Sequence, residues 1–166
     1  MRIYLPATMS SLAEAVATGE HGPVPLTGFA VTPALREWYI EDDADDIEEL
    51  EYAAFTEATR GALRLLDSDP LAARRRVVIS ADVADDLVTA RPELDRAVVR
   101  VGKPVPMQWW ACVHVDGAEA QDTVRSAAAA VIPADLGDAD AQFTVDAALG
   151  HELEWYGVSE LDILLK

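Results

Sequence analysis

A chain of 166 residues with 51% hydrophobic and 26% charged residues fits one domain, and its composition excludes a disordered chain or a disulfide-stapled scaffold. A formal net charge of −17 repels phosphate backbones, so direct nucleic-acid binding is not expected. No uninterrupted apolar run approaches the roughly 20 residues of a membrane helix, and Met1-Arg2-Ile3-Tyr4-Leu5-Pro6 lacks an export pattern.

Arg2–Ala7 alternates as a first strand. Ser10-Ser11 then offers a cap for a helix through Leu12–Ala17, which Gly19 stops. After the turn-rich Gly22-Pro23-Val24-Pro25, a second strand is expected over Gly28–Thr32. Thr32-Pro33 starts a short helix through Tyr39, since proline at the first helical position gives up no needed donor. From Asp46 to Leu66, Ile47, Leu50, Ala54, Ala58, Gly61 and Leu65 recur at helical steps, and Asp69-Pro70 ends this longest helix.

Arg74-Arg75-Arg76 reads as a solvated lead-in to a strand over Arg76–Ala81, and Ala84–Ala90 as a short helix before Arg91-Pro92. Strands over Ala97–Val101 and Trp109–Val115 flank the turn Gly102–Pro106. The single cysteine, Cys112, falls in that second apolar run, where a thiol behaves as a small hydrophobe. Ala118–Val131 returns to helix, with Pro133 and Gly137 at its exit. Phe143–Leu149 leans helical, Glu152–Val158 reads as the last strand, and Glu160–Leu165 as a short terminal helix or extension. Arg2–Leu5, Arg76–Ile79 and Cys112–Val115 each look like the opening of a strand–turn–helix repeat. The expected fold is a single α+β domain over residues 1–166, with a mixed sheet of about five or six strands packed with helices.

Five stretches carry a resemblance: Arg2–Thr8, Ala30–Tyr39, Glu49–Ala54, Arg74–Val78, and the tail Asp140–Phe143 with Leu153–Tyr156. Together they resemble a family of actinobacterial proteins of unknown function along nearly the whole chain. The resemblance implies one domain and an actinobacterial cytoplasm. It supplies no activity, cofactor or catalytic residue. An Ala-, Asp- and Val-rich composition whose basic residues are mostly arginine fits a high-GC bacterial source.

Arg36, Glu37, Trp38 and Tyr39 concentrate a guanidinium, a carboxylate and two amphipathic rings in one helical turn, and Trp, Tyr and Arg dominate binding hot spots. These four are the candidate binding residues. Leu35, Trp38 and Tyr39 also form an i, i+3, i+4 apolar face, in which case Trp38 joins the core while Arg36 and Glu37 point to solvent or a cleft. The acidic block Glu41–Glu51 reads as a solvated cap on the long helix, where its charges offset the positive end of the helix dipole. Asp135, Asp138, Asp140 and Asp146 read as loop and cap residues rather than a metal cage.

His21, His114 and His151 lie far apart with no ligand spacing, so no metal and no cofactor is expected. Phosphate-binding glycine loops and nucleophile elbows are missing too. The leading expectation is a cytoplasmic, non-catalytic binding or protein-interaction module whose partner is a protein or a small-molecule ligand. The alternative is an enzyme with a dispersed site, Arg36 holding a small anionic substrate while Glu37, Asp146 or His151 does acid–base work. A nucleic-acid mimic would need carboxylates at phosphate spacing along one face.

Overall fold

The strand β1 (Arg2–Ala7) occupies the centre of the sheet because it is apolar on both sides, Ile3, Leu5 and Ala7 facing one way and Tyr4 the other. The computed structural model describes residues 1–40 and 46–166. In α1 (Met9–Thr18) the cap is Thr8 rather than Ser10: its Oγ1 accepts the Ser11 N–H at 3.2 Å, and Ser11 Oγ accepts the Thr8 N–H in return. Gly19, at φ 85°, ends that helix in the left-handed region. There follow β2 (Glu20–His21), β3 (Leu26–Ala30), α2 (Pro33–Ile40) and α3 (Ile47–Ser68). Thr32 Oγ1 caps α2 by accepting the Leu35 N–H at 3.1 Å, and Asp46 Oδ1 caps α3 by accepting that of Glu48 at 2.9 Å.

The remainder comprises β4 (Val77–Asp82), β5 (Val88–Ala90), β6 (Val98–Val101), β7 (Val105–Pro106), β8 (Trp110–Val115), α4 (Gln121–Asp135), α5 (Ala139–Ala147), β9 (Glu154–Tyr156) and α6 (Leu161–Leu164). Seven strands pair in the order β5-β6-β3-β1-β4-β8-β9, and β2 with β7 forms a separate ribbon. The α+β class is as the sequence suggests, but the sheet is antiparallel throughout rather than mixed, and larger than five or six strands. β3 and β4, joined through α2 and α3, do run parallel, yet β1 lies between them and pairs antiparallel with both.

An extra strand comes from Ala84–Ala90. Its helix is confined to one 3₁₀ turn at Asp85–Leu87, after which Val88 and Thr89 pair with β6, where β-branched side chains fit well. That segment also ends the similarity between β4 and the strand–helix opening of β1.

On one face of the sheet, Ile3, Leu5, Ile79, Val99 and Val113 pack against Leu12 of α1 and Leu161 of α6. On the other, Tyr4, Phe29, Val78 and Val98 lie under Leu50, Ala54 and Ala58 of α3, with Leu35 of α2 beside them. Gly61 brings α3 close, since a Cβ there would sit 3.0 Å from the Phe29 ring and 3.2 Å from Pro6. The far half of α3 packs through Leu63 and Leu66 against Val124, Ala127 and Val131 of α4 and Val145 of α5. α4 continues past Pro133 to Asp135, whose carboxylate is held by Arg60 and Arg64 of α3 at 2.8 and 2.7 Å.

Arg76 is not part of a solvated basic run. It is 1% exposed, and Asp116, just beyond β8, is 0% exposed. Asp116 accepts the Arg76 backbone N–H at 2.7 Å, its Nε at 2.8 Å and its Nη2 at 2.8 Å. Nη2 also donates to the carbonyls of Ala148 and His151 at 3.1 and 3.0 Å. Both carboxylate oxygens of Asp116 and the Nε and Nη2 groups of Arg76 are thereby engaged, and hydrogen bonding of this kind lets a guanidinium and a carboxylate tolerate burial.

Two stability predictions follow from this packing. Asp116→Ala leaves a buried guanidinium uncompensated and is expected to cost about 3–5 kcal/mol in urea melts; a loss under about 0.5 kcal/mol, the size of an exposed pair, is the contrary result. Leu50→Ala, at a position 3% exposed, is expected to cost about 2–5 kcal/mol in the same measurement.

Candidate functional site

Helix α2 turns its apolar stripe only partly inward. Leu35 is buried and Tyr39 half-buried, whereas Trp38 is 58% exposed. Trp38 does not join the core with Leu35 as expected; the guanidinium of Arg96, in the loop before β6, lies over its ring at 3.6 Å from the centroid. Arg96 is brought there by its own backbone carbonyl, which accepts a hydrogen bond from Thr32 Oγ1 at the start of α2.

Trp38 and Tyr39 line a groove of about 620 Å³ between α2, α3 and the loop at Asp95–Ala97, with Tyr52 of α3 on the same wall. Among the described residues five carboxylates border it, those of Asp46, Glu48, Glu49, Glu57 and Asp95, against one guanidinium, that of Arg96. Burial pushes the Glu57 carboxyl above its usual range, and the neighbouring Asp95 adds to the shift. The groove is therefore aromatic and acidic, and suits a cation.

Arg36 and Glu37 do not join Trp38 and Tyr39 there. Both are exposed, and Arg36 borders a different hollow with Met1, Arg2, Ile47, Glu51 and Asp85, as residues two apart on a helix must diverge. Nor do the dispersed acid–base candidates converge: Asp146 lies on α5, where it accepts from Gln142 Nε2 at 2.7 Å, and His151 lies in the loop between α5 and β9. Asp138 caps α5 through the Ala141 N–H. The part of the acidic block at Glu41–Asp45 lies outside the described residues; Glu48 and Glu49 stand exposed in the first turn of α3. Among the described residues no cluster of three or more His, Cys, Asp or Glu side chains could hold a metal ion, and no helix is long and apolar enough to cross a membrane.

A second hollow, of about 450 Å³, opens on the α3 side of the sheet. Its floor is a row across three neighbouring strands, Tyr4 of β1 opposite Ser80 of β4 and Ser80 opposite Cys112 of β8. His114 stands two residues along β8 on the same face, its Nε2 3.4 Å from Cys112 Sγ. The register shifts beside Ser80, so Ala81 pairs with Trp110 and Ala111 is the extra residue. Trp110 consequently enters the opposite core while Cys112 keeps facing α3.

Phe55 of α3 meets both the Tyr4 and His114 rings edge-on, at 5.8 and 4.7 Å between centroids. Burial raises the Tyr4 phenol to about 12 and holds the His114 imidazole below its usual range. Only the i, i+2 spacing of Cys112 and His114 was open to sequence reasoning; the row with Tyr4 and Ser80 depends on strand register.

The protein is thus a single α+β domain with an antiparallel sheet, carrying an acidic aromatic groove and a thiol–imidazole hollow on the two flanks of α3. It belongs to the DUF6912 family, a family of unknown function, whose model matches residues 1–165. No curated protein and no solved structure matches it.

Proposed function

We propose that the protein is a binding module for a basic segment of a partner protein, received in the groove between α2, α3 and Asp95–Ala97. The observation that carries this reading is Arg96 laid over the exposed Trp38 ring at the rim of a groove bordered by five carboxylates. An incoming arginine or lysine side chain finds the same two attractions there, an aromatic face and flanking carboxylates. Trp38, Tyr39 and Tyr52 supply contact area at low conformational cost, and the net charge of −17 steers a cationic partner toward the protein. Arg36 and Glu37, on the next faces of α2, are assigned to the periphery of this contact. An actinobacterial cytoplasm is the proposed setting, supported by the arginine-weighted composition and the free thiol of Cys112.

The experiment is a calorimetric titration with a short Gly-Arg repeat peptide at about 0.15 M ionic strength, where general charge attraction is screened. Trp38→Ala and Glu57→Gln are each expected to weaken binding by about tenfold or more. Glu14→Gln and Asp162→Asn, on the helices across the sheet, are expected to leave it unchanged. Equal losses from all four substitutions, or no binding by the parent protein, would overturn the reading.

A further inference from the structure

The hollow on the other flank of α3 holds groups that neither the fold nor the acidic groove uses. Ser80 Oγ, 1% exposed, finds no hydrogen-bond partner among the described residues, although buried hydroxyls are ordinarily satisfied. It sits between the Tyr4 phenol and the Cys112 thiol in the cross-strand row, on strands about 4.8 Å apart. The hydroxyl, phenol and thiol meet no opposing charge in that row, and the imidazole of His114 closes it at hydrogen-bond range of Sγ.

We propose that this hollow is a thiol-reactive site, in which Cys112 adds to an uncharged α,β-unsaturated carbonyl compound while His114 takes the thiol proton. Sγ forms a bond to the β-carbon of the ligand, and the carbon–carbon π pair moves onto the carbonyl as an enolate. The phenol of Tyr4 and the hydroxyl of Ser80 are the donors available to that oxygen, in the manner of an oxyanion hole. The proton held by His114 then passes to the α-carbon. The product is a thioether; nothing is oxidised or reduced and nothing leaves.

Uncharged ligands are selected because the floor carries no net charge, while the rim carries both signs. Arg2 of β1, engaged by Asp82 at 2.7 Å, and Arg76, engaged by Asp116, contribute cations already neutralised. Glu51 of α3 and Glu152 of the closing loop contribute anions, and Tyr52 and His151 complete the titratable groups facing the pair. An anionic electrophile would meet those two carboxylates at the entrance. The wall of Phe55, Leu149 and Leu153 fits the apolar remainder of the ligand.

The test is the rate of single-adduct formation by N-ethylmaleimide, read by intact mass on the full chain, in which Cys112 is the only thiol. A thiol that reacts unaided accelerates tenfold per pH unit up to about pH 8.5, because only its thiolate is nucleophilic. A thiol served by a neutral imidazole reacts at a constant rate once that imidazole has lost its proton. Since burial depresses the imidazole, the wild-type rate is expected to be level between about pH 7 and 8 and to fall below about pH 6.5.

His114→Gln is expected to restore the unaided slope and to slow the reaction at pH 7 by about a hundredfold, the lower end of the range of general base catalysis. Tyr4→Phe is expected to slow maleimide addition but not alkylation by iodoacetamide, which forms no enolate. A wild-type rate that climbs steadily through pH 8, or a folded protein that maleimide does not label at any pH, overturns the proposal. Where His114→Gln lowers the melting temperature, the wild-type profile and the Tyr4→Phe contrast decide the matter without it.

Discussion

The buried pair of Arg76 and Asp116 is the constraint on which the β4–β8 register and the thiol hollow depend. It closes the ladder between β4 and β8 at the end nearest α4, where the Asp116 N–H also donates to the Arg76 carbonyl at 3.1 Å. The register fixed there runs down the pair to Ser80 and Cys112. From the same guanidinium, bonds to the carbonyls of Ala148 and His151 hold the loop that walls the thiol hollow. An exposed ion pair would do little of this, being screened and mobile. A buried one is unforgiving: each partner is stable only while the other is in place, so sheet register and loop position are specified together.

Several arginines of this protein are spent in ion pairs, one of them buried, while acids are left in excess. Arg76 is committed to Asp116, Arg60 and Arg64 to Asp135, and Arg2 to Asp82. The side-chain hydrogen bond from Arg64 holds the Asp135 carboxyl below its usual range, and that from Arg2 does the same for Asp82. Carboxylates outnumber these partners, and five of the remainder stand together at the start of α3 and around the groove beside Trp38. An overall charge of −17 is therefore not spread evenly in its consequences. It matters most where aromatic faces stand beside unpaired acids, because there a cation gains contact area as well as charge.

What the sequence made legible was local. The cap at Asp46, the start of α2 at Thr32-Pro33, the stop at Gly19 and the α3 stripe from Leu50 to Gly61 are each decided by residues within a few positions of one another, although Ile47 and Leu65, at the ends of that stripe, stand exposed. What it concealed was decided across the chain. Nothing near Arg76 foretells Asp116, forty residues on. Nothing near Trp38 foretells Arg96, which arrives through a bond between Thr32 and a distant carbonyl. Ala84–Ala90 reads as a helix on its own and becomes an edge strand because β6 offers a ladder. The alternation that suggested a mixed sheet was real, but β1 separates the parallel pair β3 and β4, and β8 and β9, though joined through α4 and α5, pair antiparallel.

The same reasoning places the two candidate sites in one mechanical frame. Both are built against α3, the groove on the side of Glu49, Ala53 and Glu57, the hollow on the side of Glu51, Phe55 and Thr59, with Tyr52 and Thr56 bordering each. A helix of 22 residues could pass a displacement from one to the other if it rode loosely on the sheet. It does not: the close approach at Gly61 to Phe29 and the grip of Arg60 and Arg64 on Asp135 fix it to both neighbouring layers. Close-packed contacts of this kind admit discrete rearrangements rather than gradual sliding. The helix therefore serves as a dividing wall, and the fold presents the acidic aromatic groove and the thiol hollow as separate surfaces.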